Sequence, residues 1–83
     1  MDSKIIIYST TWCGDCRRAK NVFAKLNMPY TEIDIEKTPG AVDVVLEINK
    51  GMRSVPTILF ADGSVLVEPR NTVLENKLRQ LLG

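Results

Sequence analysis

The sequence predicts an α/β fold of seven elements in the order β-α-β-α-β-β-α, built as a mixed sheet with helices on both faces. Three observations predict it. An unbroken apolar run over residues 5–8 reads as a central strand buried on both sides. Apolar residues recur at helical spacing in three later segments. An Asp62-Gly63 pair divides two short apolar runs late in the chain. With 83 residues there is room for one domain, 1–83, and no second one. No internal repeat, low-complexity tract or linker interrupts it.

The first strand reads Ile-Ile-Ile-Tyr over residues 5–8. Ser9, Thr10 and Thr11 follow and offer a hydroxyl N-cap for a helix. That helix carries Ala19, Val22, Phe23 and Leu26 on one face, with Arg17, Arg18, Lys20 and Lys25 pointing elsewhere. Asn27 and Pro29 end it. Residues 30–35 alternate, with Ile33 and Ile35 on one side, which predicts a half-buried strand nearer the sheet edge. A helix between the first two strands makes them parallel with a right-handed crossover. Thr38-Pro39 predicts the next helix start: a hydroxyl cap, then proline at the first helical position. Ala41, Val44, Val45 and Ile48 supply its apolar face, and Gly51 its stop. Residues 57–60 and 64–67 flank Asp62-Gly63, which predicts a hairpin closed by a type I′ turn. The last helix opens on Thr72-Val73-Leu74-Glu75, the spacing of a capping box. Leu74, Leu78, Leu81 and Leu82 form its apolar stripe.

Composition narrows the function. Apolar residues make up 45% and charged residues 25%, the balance of a globular chain. A net charge of +1 argues against nucleic acid as a partner, because neutralising phosphates needs a basic surplus. No apolar run approaches the roughly 20 residues of a membrane span. The opening Met1-Asp2-Ser3-Lys4 leads into a stretch too short for a signal peptide, so a cytoplasmic protein with no membrane partner is expected. Histidine is absent, which removes the usual general base of Ser-His and Cys-His catalysis. A closed Cys/His zinc site would lack half its ligands, so no metal site is expected.

Chemistry then falls to Cys13 and Cys16. They sit in Trp12-Cys13-Gly14-Asp15-Cys16, between the buried strand and the first helix. Open α/β sheets place their chemistry there, beyond a strand's carboxyl end and at a helix N-terminus. A helix start carries roughly half a positive charge and unpaired N–H groups, which favour a thiolate. Cys13, in the first turn, is therefore the expected nucleophile. Cys16 lies one turn deeper on the same side, near enough for a modest adjustment to close a disulfide. A merely stabilising disulfide is the weaker reading, since a loop this short gains only about 2 kcal/mol and the cytosol keeps structural thiols reduced. Half of a metal site would need ligands from outside the chain. Asp15 opposes a second anion nearby, yet a carboxylate is also at home in a first helical turn. Both roles stay open. Trp12 is either a partly exposed aromatic beside the site or a half-buried core residue.

Ser54-Val55-Pro56-Thr57 immediately precedes the third strand. Proline suits a strand's first residue because it has no N–H for the ladder. A cis bond would turn Val55 toward the neighbouring loop and let its backbone meet an extended thiol substrate. From spacing alone, a plain strand-starting proline is the preferred reading.

Thr-Thr-Trp-Cys-Gly-Asp-Cys after a strand, with Ser-Val-Pro-Thr ahead of an Asp-Gly hairpin, resembles the glutaredoxins of the thioredoxin-like fold. The resemblance covers nearly the whole chain and is strongest to the mycoredoxin-type branch. It implies a four-stranded sheet in the order 2-1-3-4 with three helices and Pro56 in cis. It implies thiol–disulfide exchange with Cys13 attacking and Cys16 resolving. Thr11, Trp12, Arg53, Ser54, Val55, Pro56 and Arg70 are the thiol-binding residues it implies, with Arg53 basic where family members hold a carboxylate of glutathione. It implies no tightly bound cofactor, a low-molecular-weight thiol as co-substrate, an NADPH-dependent reductase to recharge that thiol, disulfide-containing client proteins, and a monomer. Glutathione-using members usually have Pro-Tyr between the cysteines, where this chain has Gly14-Asp15. They also carry Gly-Gly and an acidic pair where residues 67–71 read Val-Glu-Pro-Arg-Asn. Mycoredoxin-type members lack that Gly-Gly, which favours mycothiol. Bacillithiol is a further candidate, with a malate group that Arg53 or Arg70 would pair. Two other functions fit less well. A ribonucleotide-reductase redoxin recharged by thioredoxin reductase would carry a different stretch at 67–71. An iron–sulfur carrier would need Cys13 from two chains and two free thiols.

Overall fold

A computed structural model describes residues 5–83. Residues 1–4, on which part of the leader-peptide expectation falls, lie outside the described residues. The opening apolar run becomes the inner strand β1 (Ile6–Ser9), and its pleat sorts the core into two. Ile5 and Ile7 face one side of the sheet with Phe23, Ile58, Leu74 and Leu78. Tyr8 faces the other side with Ile35, Ala41 and Val45. Helix α1 (Gly14–Lys25) and helix α3 (Asn71–Leu82) thus cover one face, and helix α2 (Ala41–Ile48) covers the other.

Strand β2 (Thr31–Asp34) pairs parallel with β1, Ser9 opposite Asp34. Strand β3 (Thr57–Leu59) pairs antiparallel with β1, and strand β4 (Val65–Val67) antiparallel with β3. The order is β2-β1-β3-β4, a mixed sheet with β2 at one edge, as expected. Because β1 and β2 run the same way, the loops after both strands open on the same end of the sheet.

The local starts and stops depart from expectation in four places. The hydroxyls of residues 9–11 do not cap α1; Cys13 does. Helix α2 begins after Gly40 rather than at Thr38-Pro39. Residues 34–38 first form a turn, in which Lys37 and Thr38 N–H both donate to the Asp34 carbonyl, and Gly40 then adopts φ 83°. Neither threonine nor proline takes that positive φ readily. The hairpin is not a type I′ turn. Phe60 N–H donates to the Ser64 carbonyl at 2.9 Å, Gly63 N–H to Phe60 at 2.9 Å, and only Gly63 has positive φ. This is a three-residue loop, with Asp62 Oδ1 accepting from Ser64 N–H. The capping box at Thr72 does not form, because α3 starts two residues earlier, with Arg70 rather than Thr72 as its N-cap. Glu75 instead accepts from Lys25 at 3.2 Å and Arg79 at 2.8 Å. Leu81 and Leu82 lie beyond the core, exposed on the last turn, and Val44 is exposed on α2.

Candidate active site

Helix α1 starts at Gly14, so Cys13 is its N-cap and Cys16 its third residue. The Cys16 backbone N–H donates to Cys13 Sγ at 3.1 Å. This is the N-cap hydrogen bond in which serine or threonine usually accepts, with sulfur in place of oxygen. The sulfur thus sits at the helix start, where unpaired backbone N–H groups point outward. Facing it from across a loop, the Val55 carbonyl accepts from the Cys13 thiol at 3.7 Å. Both cysteines are free thiols.

Cys16 points the other way, into the protein. It has no solvent exposure. Burial pushes its thiol up to about 12, the hydrogen bond with Cys13 adds to the rise, and the Thr10 backbone and Lys20 pull back against it. Lys20, one turn further along α1, donates to Glu32 at 2.8 Å, and buried Ser9 donates its hydroxyl to the same carboxylate at 2.6 Å. These bonds hold the Glu32 carboxyl below its ordinary range and the Lys20 ammonium above its own.

The Val55-Pro56 bond is cis. Thr57, fully buried, secures this segment: its hydroxyl donates to the Ser54 carbonyl at 2.7 Å and accepts from Asn49 Nδ2 at 2.9 Å. Asn49 is the C-cap of α2, so the loop is tied to a helix end.

Cys13 opens into a cleft of about 440 Å³. Trp12, Gly14, Asp15, Arg53, Ser54, Val55 and Glu68 line it with Cys13. Trp12 is the exposed aromatic of the two sequence readings, at 68% exposure. Its Nε1 donates to Glu36 Oε1 at 3.1 Å, while Glu36 Oε2 pairs with Arg53 at 3.7 Å. One carboxylate thereby ties the two rims together. Asp15 lines the cleft from the first turn and pairs with Arg18 at 3.3 Å. Of the thiol-binding residues expected from sequence, Trp12, Arg53, Ser54 and Val55 meet at Cys13, and Pro56 is buried directly behind Val55. Thr11 and Arg70 are exposed and do not line the cleft; Arg70 stands at the N-cap position of α3, with no capping bond from its side chain. Glu36 and Glu68 were missed. Glu36 was accessible to reasoning, since the loop after a parallel neighbour opens beside the loop after β1. Glu68 falls in the 67–71 stretch that departs from glutathione-using members, but its place in the cleft depends on φ 46° and on its N–H donating to the Pro56 carbonyl at 2.9 Å.

An outward thiol on a helix start, a buried second thiol one turn on, and a cis-proline loop facing the first are equipment for thiol–disulfide exchange. Known proteins agree. The chain matches the family model described as Glutaredoxin over residues 5–66. It is 40% identical over 79 residues to a Mycobacterium tuberculosis protein provisionally named a glutaredoxin, covering 95% of this chain and 94% of that one. Mycoredoxin 1 of Corynebacterium glutamicum is 34% identical over 68 residues, 81% of this chain and 82% of its own. The solution structure of a Brucella melitensis glutaredoxin superposes with a TM-score of 0.74 at 30% identity, covering 95% of this chain and 87% of that one. Fold, site and sequence converge: this chain belongs to the glutaredoxin family of thiol oxidoreductases.

Proposed function

We propose that this protein reduces protein disulfides, or mixed disulfides between proteins and a low-molecular-weight thiol, through Cys13 and Cys16. The observation that carries the reading is the opposite placement of the two sulfurs: Cys13 lines the open cleft and receives the Cys16 N–H, while Cys16 is sealed behind it. The Cys13 thiolate attacks one sulfur of the substrate disulfide. That S–S bond breaks, the second sulfur leaves as a thiolate and takes up a proton, and a new disulfide joins Cys13 to the first. Cys16 then gives up its proton and attacks Cys13 Sγ, forming the Cys13–Cys16 disulfide and releasing the remaining thiol. The substrate gains two electrons and the dithiol loses two. A free thiol can take the place of Cys16 in the second step.

Mycothiol is the favoured co-substrate. The lack of Gly-Gly at residues 67–71 supports it, as does the relative named mycoredoxin 1. An NADPH-dependent reductase of that thiol would return the electrons. The protein would act as a cytoplasmic monomer without a tightly bound cofactor. A mixed-disulfide reductase assay tests the roles. Cys13→Ser should abolish turnover, whereas Cys16→Ser should retain monothiol exchange. An active Cys13→Ser protein would refute the assignment.

A further inference from the structure

The charges around Cys13 are unevenly answered. Asp15, Arg53 and Glu68 are the charged residues lining the cleft, two carboxylates against one guanidinium. Asp15 is paired with Arg18, and Arg53 with Glu36. Among the described residues, no ion pair or side-chain hydrogen bond engages the Glu68 carboxylate. Its backbone is nonetheless fixed. Glu68 holds a left-handed φ of 46°, and its N–H donates to the carbonyl of Pro56, the residue after the Val55 that faces Cys13 Sγ. A rigid loop thus presents one uncompensated negative charge to the cleft in which any adduct on Cys13 must lie.

We propose that Glu68 is a specificity-determining residue of this cleft. Its carboxylate disfavours thiol adducts with net negative charge and admits uncharged or cationic ones. The inference rests on the thiol-exchange reading above and names the charge class of the co-substrate. Arg53, the one cation lining the cleft, already shares its charge with Glu36 at 3.7 Å. Across several ångströms of an open, hydrated cleft, one carboxylate changes a rate about two- to threefold per unit charge at low ionic strength.

Three small disulfides test it: cystamine, bis(2-hydroxyethyl) disulfide and dithiodiglycolate, which are cationic, neutral and anionic. Second-order rate constants with the reduced protein are measured for wild type, Glu68→Gln and Glu68→Lys, each normalised to the neutral probe. Glu68→Gln should raise the relative rate of the anionic probe at least two- to threefold and lower that of the cationic probe by a similar factor. Glu68→Lys should enlarge both changes, and high salt should shrink them. If all three probes change by one common factor, or none changes, Glu68 is only a turn residue and the proposal falls. Failure of every probe to react with Cys13, in every protein, would instead remove the exchange reading and the inference with it.

Discussion

Raising the pH should destabilise the reduced protein, and Cys16 should account for a defined share of the loss. Burial, reinforced by the bond with Cys13, moves the Cys16 thiol from 9.0 to about 12. Between those values the unfolded chain ionises at this residue and the folded chain does not. The folded state then binds more protons, so stability falls as pH rises. The stabilisation is fully present below pH 9 and is lost progressively toward pH 12. At pH 10 the loss is on the order of 1 kcal/mol. A chain of this length has a total stability of about 4–12 kcal/mol, so the loss is measurable. Urea unfolding in the presence of a phosphine reductant, at pH 7 to 10, gives the number when wild type is compared with Cys16→Ala. Tyrosine titrations, and those of lysines away from the site, are common to both proteins and cancel. The stability advantage of wild type should shrink by on the order of 1 kcal/mol between pH 7 and 10. A constant advantage would refute the reasoning. A growing one would mean that the fold favours the Cys16 thiolate.

Two further predictions concern the scaffold. Phe23 is fully buried and packs on Tyr30 at 5.0 Å between ring centres, so Phe23→Ala should cost about 3–5 kcal/mol in denaturant unfolding; a cost under about 1 kcal/mol would mean the core closes around the gap. Glu32, whose carboxyl Lys20 and Ser9 hold below its ordinary range, contributes stability that is full above about pH 4.3 and lost as pH falls through its lower folded value. Wild type should therefore exceed Glu32→Gln in thermal stability by more at pH 6 than at pH 3, and by no more than about 1 kcal/mol given the solvent screening of this partly exposed pair; equal margins would deny the pair a role.

What was legible in the sequence followed from periodicity. The run at residues 5–8, the alternation of Ile33 and Ile35, and the spacing of Ala19, Val22 and Phe23 each depend on which side of an element meets the core. The structure places them as read. What was not legible depends on single dihedrals and on competition between partners. Thr72 and Glu75 have the capping-box spacing, but Glu75 has cationic partners in Lys25 and Arg79, and the helix begins two residues too soon. Asp62-Gly63 has the composition of a type I′ turn, but Asp62 keeps negative φ because its side chain serves Ser64 from a longer loop. At the site, Cys13, Val55 and Pro56 were readable because their chemistry is tied to residue type. Glu68 was hidden because only the hairpin's path brings it beside Pro56.

The placement of the two cysteines also orders the proposed reaction. A spacing of three puts both on one side of a helix, and taken alone that would make them interchangeable. They are not, because the helix begins beyond the end of the inner strand β1: its first position stands outside the core and its third already lies within it. Cys13 can meet a sulfur on a bulky protein because the cleft around it is open. Cys16, sealed from solvent, is shielded from any such sulfur and holds its proton at neutral pH. The sulfur within its reach is that of Cys13, whose Sγ already accepts from the Cys16 backbone. Under this reading Cys16 resolves and never captures. The sequence of steps is set by burial before any difference in nucleophilicity acts, and a substitution that exposed Cys16 would blur the two roles without removing either thiol.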